Sequence, residues 1–176
     1  VGARNRGNSS RGDTPHSLRL TFRSDQSWEG RSALDINGRG GYKRIVGSAI
    51  FQRAGIEVAS AVAGQLRMNG QDRSIPDSPS FGFYSFTESF GDEWARNHFP
   101  GDPDGNLYKV IVQGLSNNTT DARLRNRYSK ETNKGQNDWS DLRNMLQAIY
   151  DSSDEEYYDA IFQHIDIDQW LRFLAV

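Results

Sequence analysis

Apolar and polar residues alternate through residues 17–24, with Leu18, Leu20 and Phe22 set against Arg19, Thr21 and Arg23. This period of two marks a half-buried strand. Trp28-Glu29-Gly30 and Asn37-Gly38 read as turns on either side of a short strand over residues 33–36. The period then changes. Ile45, Val46, Ala49, Ile50 and Arg53 fall at helical spacing, and Gly55 stands where a helix ends. Asn69-Gly70 is a hairpin turn signal, and beyond Pro76 and Pro79 the aromatic run over residues 81–88 reads as the returning strand. A short helix over residues 88–99, a turn at 102–106 and a strand over 106–112 follow.

From Asn137 the texture is helical. Trp139, Leu142, Met145, Leu146 and Ile149 share one face, with Asp138 as the expected N-cap. A second helix is expected to open at Ser153 or Asp154, with acidic residues in its first turn. A third starts near Ile165 and carries Trp170, Leu171, Phe173 and Leu174, expected to cover a core that further chain completes. The expected fold class is α+β, strand-rich over residues 1–113 and helical over 137–176. The whole of residues 1–176 reads as part of one domain cut at both ends.

Charge adds a second division. Residues 1–73 hold 12 Lys and Arg against 6 Asp and Glu, and residues 74–176 hold 9 against 17. The basic half favours a surface that meets phosphates, in competition with plain solvated arginines. No Lys/Arg run interleaved with aromatics argues for nucleic acid. No apolar stretch reaches the ~20 residues of a membrane-spanning helix. Cysteine is absent, which excludes disulfides, thiolate metal sites and a cysteine nucleophile.

Several motifs compete. Arg11-Gly12-Asp13 matches an adhesion tripeptide, and Asn8, Asn117 and Asn118 fit the glycosylation pattern. The alternating aspartates of 102–106 resemble a calcium loop, but the twelfth position is Gln113 rather than Glu, so a turn is expected. His16, His98 and His164 lack metal-ligand spacing. Asp166 and Asp168 read either as a catalytic pair or as carboxylates capping a helix start. There is no phosphate-binding GxxxxGK[ST] loop and no GxSxG nucleophile motif. The cluster over residues 6–10, Arg-Gly-Asn-Ser-Ser, is either a turn in which Asn8, Ser9 and Ser10 bond the local backbone, or a strand end that aims Arg6 at a phosphate or an acidic neighbour.

The order of these pieces carries a resemblance. Arg-Gly-Asn-Ser-Ser at 6–10, the basic strand from His16, Gly82, Tyr84 and Glu88 at Gly-x-Tyr-x-x-x-Glu spacing, Gly-Asn-Leu-Tyr-Lys ending at Lys109, Glu-Thr-Asn at 131–133 and the final helix follow one another. In that order the chain resembles the CotH family of spore-coat and cell-envelope proteins, which are atypical protein kinases. The resemblance implies a kinase-like fold, ATP and magnesium as cofactors, Ser/Thr hydroxyls on coat or envelope proteins as acceptors, and a location at the spore or cell surface.

It further implies a nucleotide site including Arg6, His16, Arg19, Tyr84, Glu88 and Lys109. Arg6, Arg19 and Lys109 would meet phosphates, while Tyr84 would offer an aromatic face to adenine and Glu88 would read the ring edge. Tyr84 and Glu88 read equally as sheet residues, and Lys109 as a solvated lysine. His16 stands before Ser17 where the family usually carries lysine. The family's metal-binding and catalytic aspartates would lie beyond Val176, so no catalytic residue is expected within this chain, and the chain alone is expected to be inactive. A non-catalytic envelope scaffold of the same fold is the alternative, and an adhesion module using Arg11-Gly12-Asp13 a third.

Overall fold

The computed structural model describes residues 1–7, 9–73, 82–112, 115–117 and 119–176. The turn role expected of Asn8, the prolines at 76 and 79, Gln113 and the Asn118 sequon lie outside the described residues, as do the side chains of Ser9 and Ser10. The fold is mixed α+β, and the chain divides into two compact units, residues 1–94 and 95–175.

The first unit is built on an antiparallel sheet of five strands among the described residues. Its strands are β1 (Gly2–Asn5), β2 (Leu18–Thr21), β3 (Ala33–Asn37), β4 (Ala61–Gly64) and β7 (Tyr84–Glu88). A helix, α1 (Gly41–Arg53), separates β3 from β4, and a small hairpin, β5 (Arg67–Met68) with β6 (Gln71–Asp72), precedes β7. The sheet order is β1-β2-β3-β7-β4, so the returning strand inserts between β3 and β4. The hairpin turns at Asn69 and Gly70, both at positive φ (53° and 79°), as a two-residue hairpin loop requires.

Alternation sorts the sheet into two faces. Leu18, Ile36 and Phe86 line up across it, as do Leu20 and Leu34. With Tyr84 and Leu66 these form the apolar core of this unit. The opposite face is polar and carries the cross-strand row Arg4, Arg19, Asp35 and Thr87. The start of α1 approaches β7 so closely that a Cβ on Gly41 would lie 2.9 Å from the Ser85 amide nitrogen. Only glycine fits there. Helix α2 (Asp92–His98) runs across the division between the units.

The second unit holds β8 (Tyr108–Val110), α3 (Asp121–Arg127), β9 (Tyr128–Lys130), α4 (Ser140–Asp151), α5 (Tyr157–Phe162) and α6 (Ile167–Ala175). Its core is Leu124, Tyr128, Trp139, Leu142 and Leu146, with Met145 and Tyr108 against it. This is the helix face expected from the sequence, joined by α3 and β9, which the pattern did not reveal. Asp166 accepts from the Gln169 amide at 3.0 Å and caps α6. The residue at the cap of α4 is Trp139 instead of the expected Asp138, whose carboxylate accepts from the Ser140 amide at 2.9 Å just before the helix. α5 begins at Tyr157, later than its sequence signals: Ser153 and Glu156 bond each other, side chain to side chain and amide to carbonyl, closing a turn instead of a helical start. On α6, Trp170, Leu171, Phe173 and Leu174 are about half exposed.

β8 and β9 pair antiparallel and place Tyr108 opposite Lys130. Around them Tyr108 donates to Asp141 at 2.6 Å and Asn106 donates to the other Asp141 oxygen at 2.8 Å. Burial pushes the Asp141 carboxyl up, but bonds from Tyr108, Asn106 and the Leu142 amide, with the charge of Lys130, more than offset it and hold the carboxyl below its usual value. Burial and the same bond push the Tyr108 phenol above its ordinary range.

Two predictions concern this unit. Leu146 is fully buried, so Leu146→Ala is expected to lower stability by about 2–5 kcal/mol in chemical denaturation. Because Asp141 titrates lower folded than unfolded, its stabilisation is complete above the unfolded value of ~3.9 and is lost as pH falls through the folded one. The stability difference between wild type and Asp141→Asn should therefore be largest near neutral pH and shrink toward pH ~3. An unchanged difference would show that the carboxylate charge does not matter.

Candidate functional site

The polar face of the first unit gathers arginines around one carboxylate. Asp35, in the middle strand of the row, is 5% exposed. Arg6 Nη2 lies 3.1 Å from Asp35 Oδ2, and Arg6 Nη1 donates to Asn37 Oδ1 at 2.6 Å. Arg19 Nη1 stands 3.9 Å from Asp35 Oδ1, too far for a hydrogen bond, and that buried oxygen has no donor among the described residues. Asn37 in turn donates to Thr87 at 3.2 Å. Arg6 is thus directed at the acidic neighbour that the sequence offered as one of its two options.

The charge in this group is unbalanced. Arg4 sits directly opposite Arg19 on the same face, an arrangement that like charges disfavour. Arg44 of α1 also acts on Arg6: burial lowers the Arg6 guanidinium from its usual value, Asp35 opposes this, and Arg44, Arg19 and Arg4 lower it further. Arg4 and Arg44 form no ion pair among the described residues. Arg6 and Arg19 thus share the Asp35 carboxylate, while Arg4 and Arg44 add positive charge near Arg6.

The same sheet end carries a cleft on the other face. His16 and Tyr84 line it together with Leu18, Leu66, Met68 and Arg73, and its volume is about 410 Å³. Tyr84 is 3% exposed. Its hydroxyl donates to the Arg73 carbonyl at 2.9 Å, and burial pushes its phenol up, with Arg73 opposing and Asp72 adding to the shift. His16 is exposed on the rim. A pocket of this size with an apolar floor and a few polar groups is of the kind that takes small organic ligands.

The structure thus brings Arg6 and Arg19 together on one face and His16 and Tyr84 together on the other. Arg6, His16 and Tyr84 share the end of the sheet where β1 and β3 finish and β2 and β7 begin. Glu88 is at the far end of β7, about 13 Å away along the strand at ~3.3 Å per residue. There it accepts from the Ser60 amide at 2.9 Å and approaches Arg31 at 3.6 Å. Lys109 belongs to the second unit, exposed on β8 opposite Ser129.

Sequence reasoning missed Asp35, Asn37, Arg44 and Lys130. Asp35 and Asn37 carried a signal, since they alternate with Leu34 and Ile36 in a strand. Lys130 carried none, because its burial arises from packing against Tyr108 and Trp139, whose ring centroids lie 5.7 and 5.8 Å from its Nζ. Arg11 donates to the Gly7 carbonyl at 3.3 Å and Asp13 pairs with Arg39 at 3.5 Å, so the adhesion tripeptide is tied into local structure.

The residues present gather guanidinium charge on one face of the sheet end and line an organic-sized cleft on the other. They do not fit a metal ion: among the described residues no three His, Asp or Glu side chains converge.

No curated protein matches the chain. Residues 3–176 match the family model described as CotH kinase protein, nearly the full length, and that family implies a kinase-like fold. The chain belongs to the CotH kinase family.

Proposed function

We propose that the protein serves ATP-dependent phosphorylation of Ser/Thr hydroxyls on coat or envelope proteins, and that this chain contributes nucleotide binding. The observation that carries the reading is the pair Arg6 and Arg19 at the Asp35 carboxylate, with Arg4 and Arg44 adding positive charge near Arg6. Phosphoryl transfer depends mainly on positioning and on neutralising phosphate charge. Asp35 and Asn37 hold the Arg6 guanidinium in one orientation before any ligand arrives, which reduces the ordering cost of binding. In this reading Arg6 and Arg19 meet phosphate oxygens. The family resemblance also assigns His16, Tyr84 and Lys109 to the nucleotide, of which His16 and Tyr84 line the opposite face of the sheet end and Lys109 belongs to the second unit. Glu88 is assigned to the ring edge by the family resemblance alone, and its carboxylate already serves Ser60 and Arg31. Magnesium is the general companion of ATP in kinases and would supply charge neutralisation on the phosphates when bound.

A second reading has an observation of its own. Arg6 and Asn37 knit β1 to β3 and onward to Thr87 of β7, which is what a scaffold that never binds nucleotide would also need.

Calorimetric titration with ATP separates the two. Arg6→Ala, Arg19→Ala and Lys109→Ala are each expected to weaken binding by about tenfold or more, since a charge-assisted contact contributes ~1.5–3 kcal/mol. Arg11→Ala, whose side chain serves only the local turn, should bind as wild type does. If all three variants fold and bind ATP unchanged, or if wild type binds none, the scaffold reading stands.

A further inference from the structure

The second unit has a cleft that the nucleotide reading does not use. It lies beside β9 and the loop over residues 134–139, with a volume of about 410 Å³. Arg125, Lys130 and Lys134 line it, with Gln136, Asn137 and Trp139, and none of its described lining residues is acidic. That contrasts with the unit around it, where residues 95–175 hold nine Lys and Arg against thirteen Asp and Glu.

Lys130 is the unusual member. It is 6% exposed, yet it forms no ion pair among the described residues. Its Nζ donates to the neutral Asn106 amide oxygen at 3.1 Å and lies over the rings of Tyr108 and Trp139. Asp138 and Asp141 feel its charge without pairing with it. Lysine is rarely buried this far unless paired, and ring faces recover only part of the lost hydration. At the rim, Arg125 shares Asp121 at 3.2 Å and Lys134 shares Glu131 at 3.2 Å, with both cations about half exposed. Such surface pairs are weak and exchange readily.

We infer that this cleft binds the terminal phosphate group of an organic phosphate. A dianion suits one buried ammonium without a direct ion pair and two loosely held rim cations better than a single carboxylate does, and the guanidinium fork of Arg125 matches phosphate oxygens. The volume leaves room for the organic group that bears the phosphate. Two sources supply that chemistry, a phosphorylated side chain of a peptide and a nucleotide, and the inference does not depend on nucleotide binding in the first unit.

The test is NMR titration of the whole chain, following the amides of residues 134–137. The ligands are a phosphoserine peptide, the same peptide with Ser or Glu in its place, and ATP. The phosphoserine peptide or ATP should shift these amides, and Arg125→Glu and Lys134→Glu should each weaken that binding about tenfold or more. Arg6→Ala and Arg19→Ala should leave it unchanged, which keeps this result separate from the nucleotide site. Shifts from ATP alone identify a nucleotide as the source, and shifts from the phosphopeptide alone identify a phosphoprotein. Lys130→Met should also weaken binding; if that variant does not fold, the two exposed variants decide. The inference is overturned if neither phosphate ligand shifts these amides, if the Glu peptide binds as well as the phosphoserine peptide, or if both rim variants bind unchanged.

Discussion

A carboxylate in the middle of a sheet loses its hydration and must be compensated by neighbours, and Asp35 imposes that requirement on the first unit. It stands on β3 with β2 on one side and β7 on the other. Arg19 reaches it from β2, and Arg6 reaches it from the end of the outer strand β1. The Arg6 fork spans Asp35 and Asn37, so β1 is held to β3 by side chains as well as to β2 by its ladder. The apolar face tolerates this polarity because alternation keeps the two apart.

The same requirement shapes the chemistry available on that face. Asp35 meets Arg6 and Arg19, Arg4 adds charge near Arg6, and α1, which packs over the sheet beginning at Gly41, adds Arg44 and no acidic residue. The residual charge is therefore built into the architecture and does not depend on flexible surface chains. In the proposed reading, the structural demand of Asp35 and the functional demand of a phosphate draw on the same side chains. That overlap is why a scaffold and a nucleotide site look alike here.

The second unit solves a related problem differently. Two segments singled out by sequence, Gly105 to Lys109 and Glu131 to Asn133, meet beside the antiparallel β8–β9 pair. Thr132 accepts from the Leu107 amide and donates to the Gly105 carbonyl, while Asn133 donates to Asn106 and to the Asp104 carbonyl. The buried cation Lys130 is held by an amide oxygen and two rings instead of a carboxylate. Motif residues that resemble binding groups in one dimension are here joining two strands, and Lys130, beside the motif, lines the cleft.

Local pattern by itself determined much of the layout. Alternation at Leu18 and Leu20, the helical spacing from Ile45, the Asn69-Gly70 turn and the apolar face of Leu142 and Leu146 are all set by interactions within a few residues, and the structure follows them. The ordered motifs likewise pointed to the family and so to the fold class. Tertiary structure alone decided what the side chains meet. Arg6 and Asp35 are 29 positions apart, and Lys130 and Asn106 are 24 apart. A cross-strand register sets each meeting, and a shift of one residue would turn every such side chain to the other face. It also placed Tyr84 and Glu88, neighbours in a motif, at opposite ends of one strand, and set Arg6 and Tyr84 on opposite faces of one sheet end. Charge and burial are properties of those long-range neighbours, so the candidate site could be named in part from sequence but assembled only by the sheet.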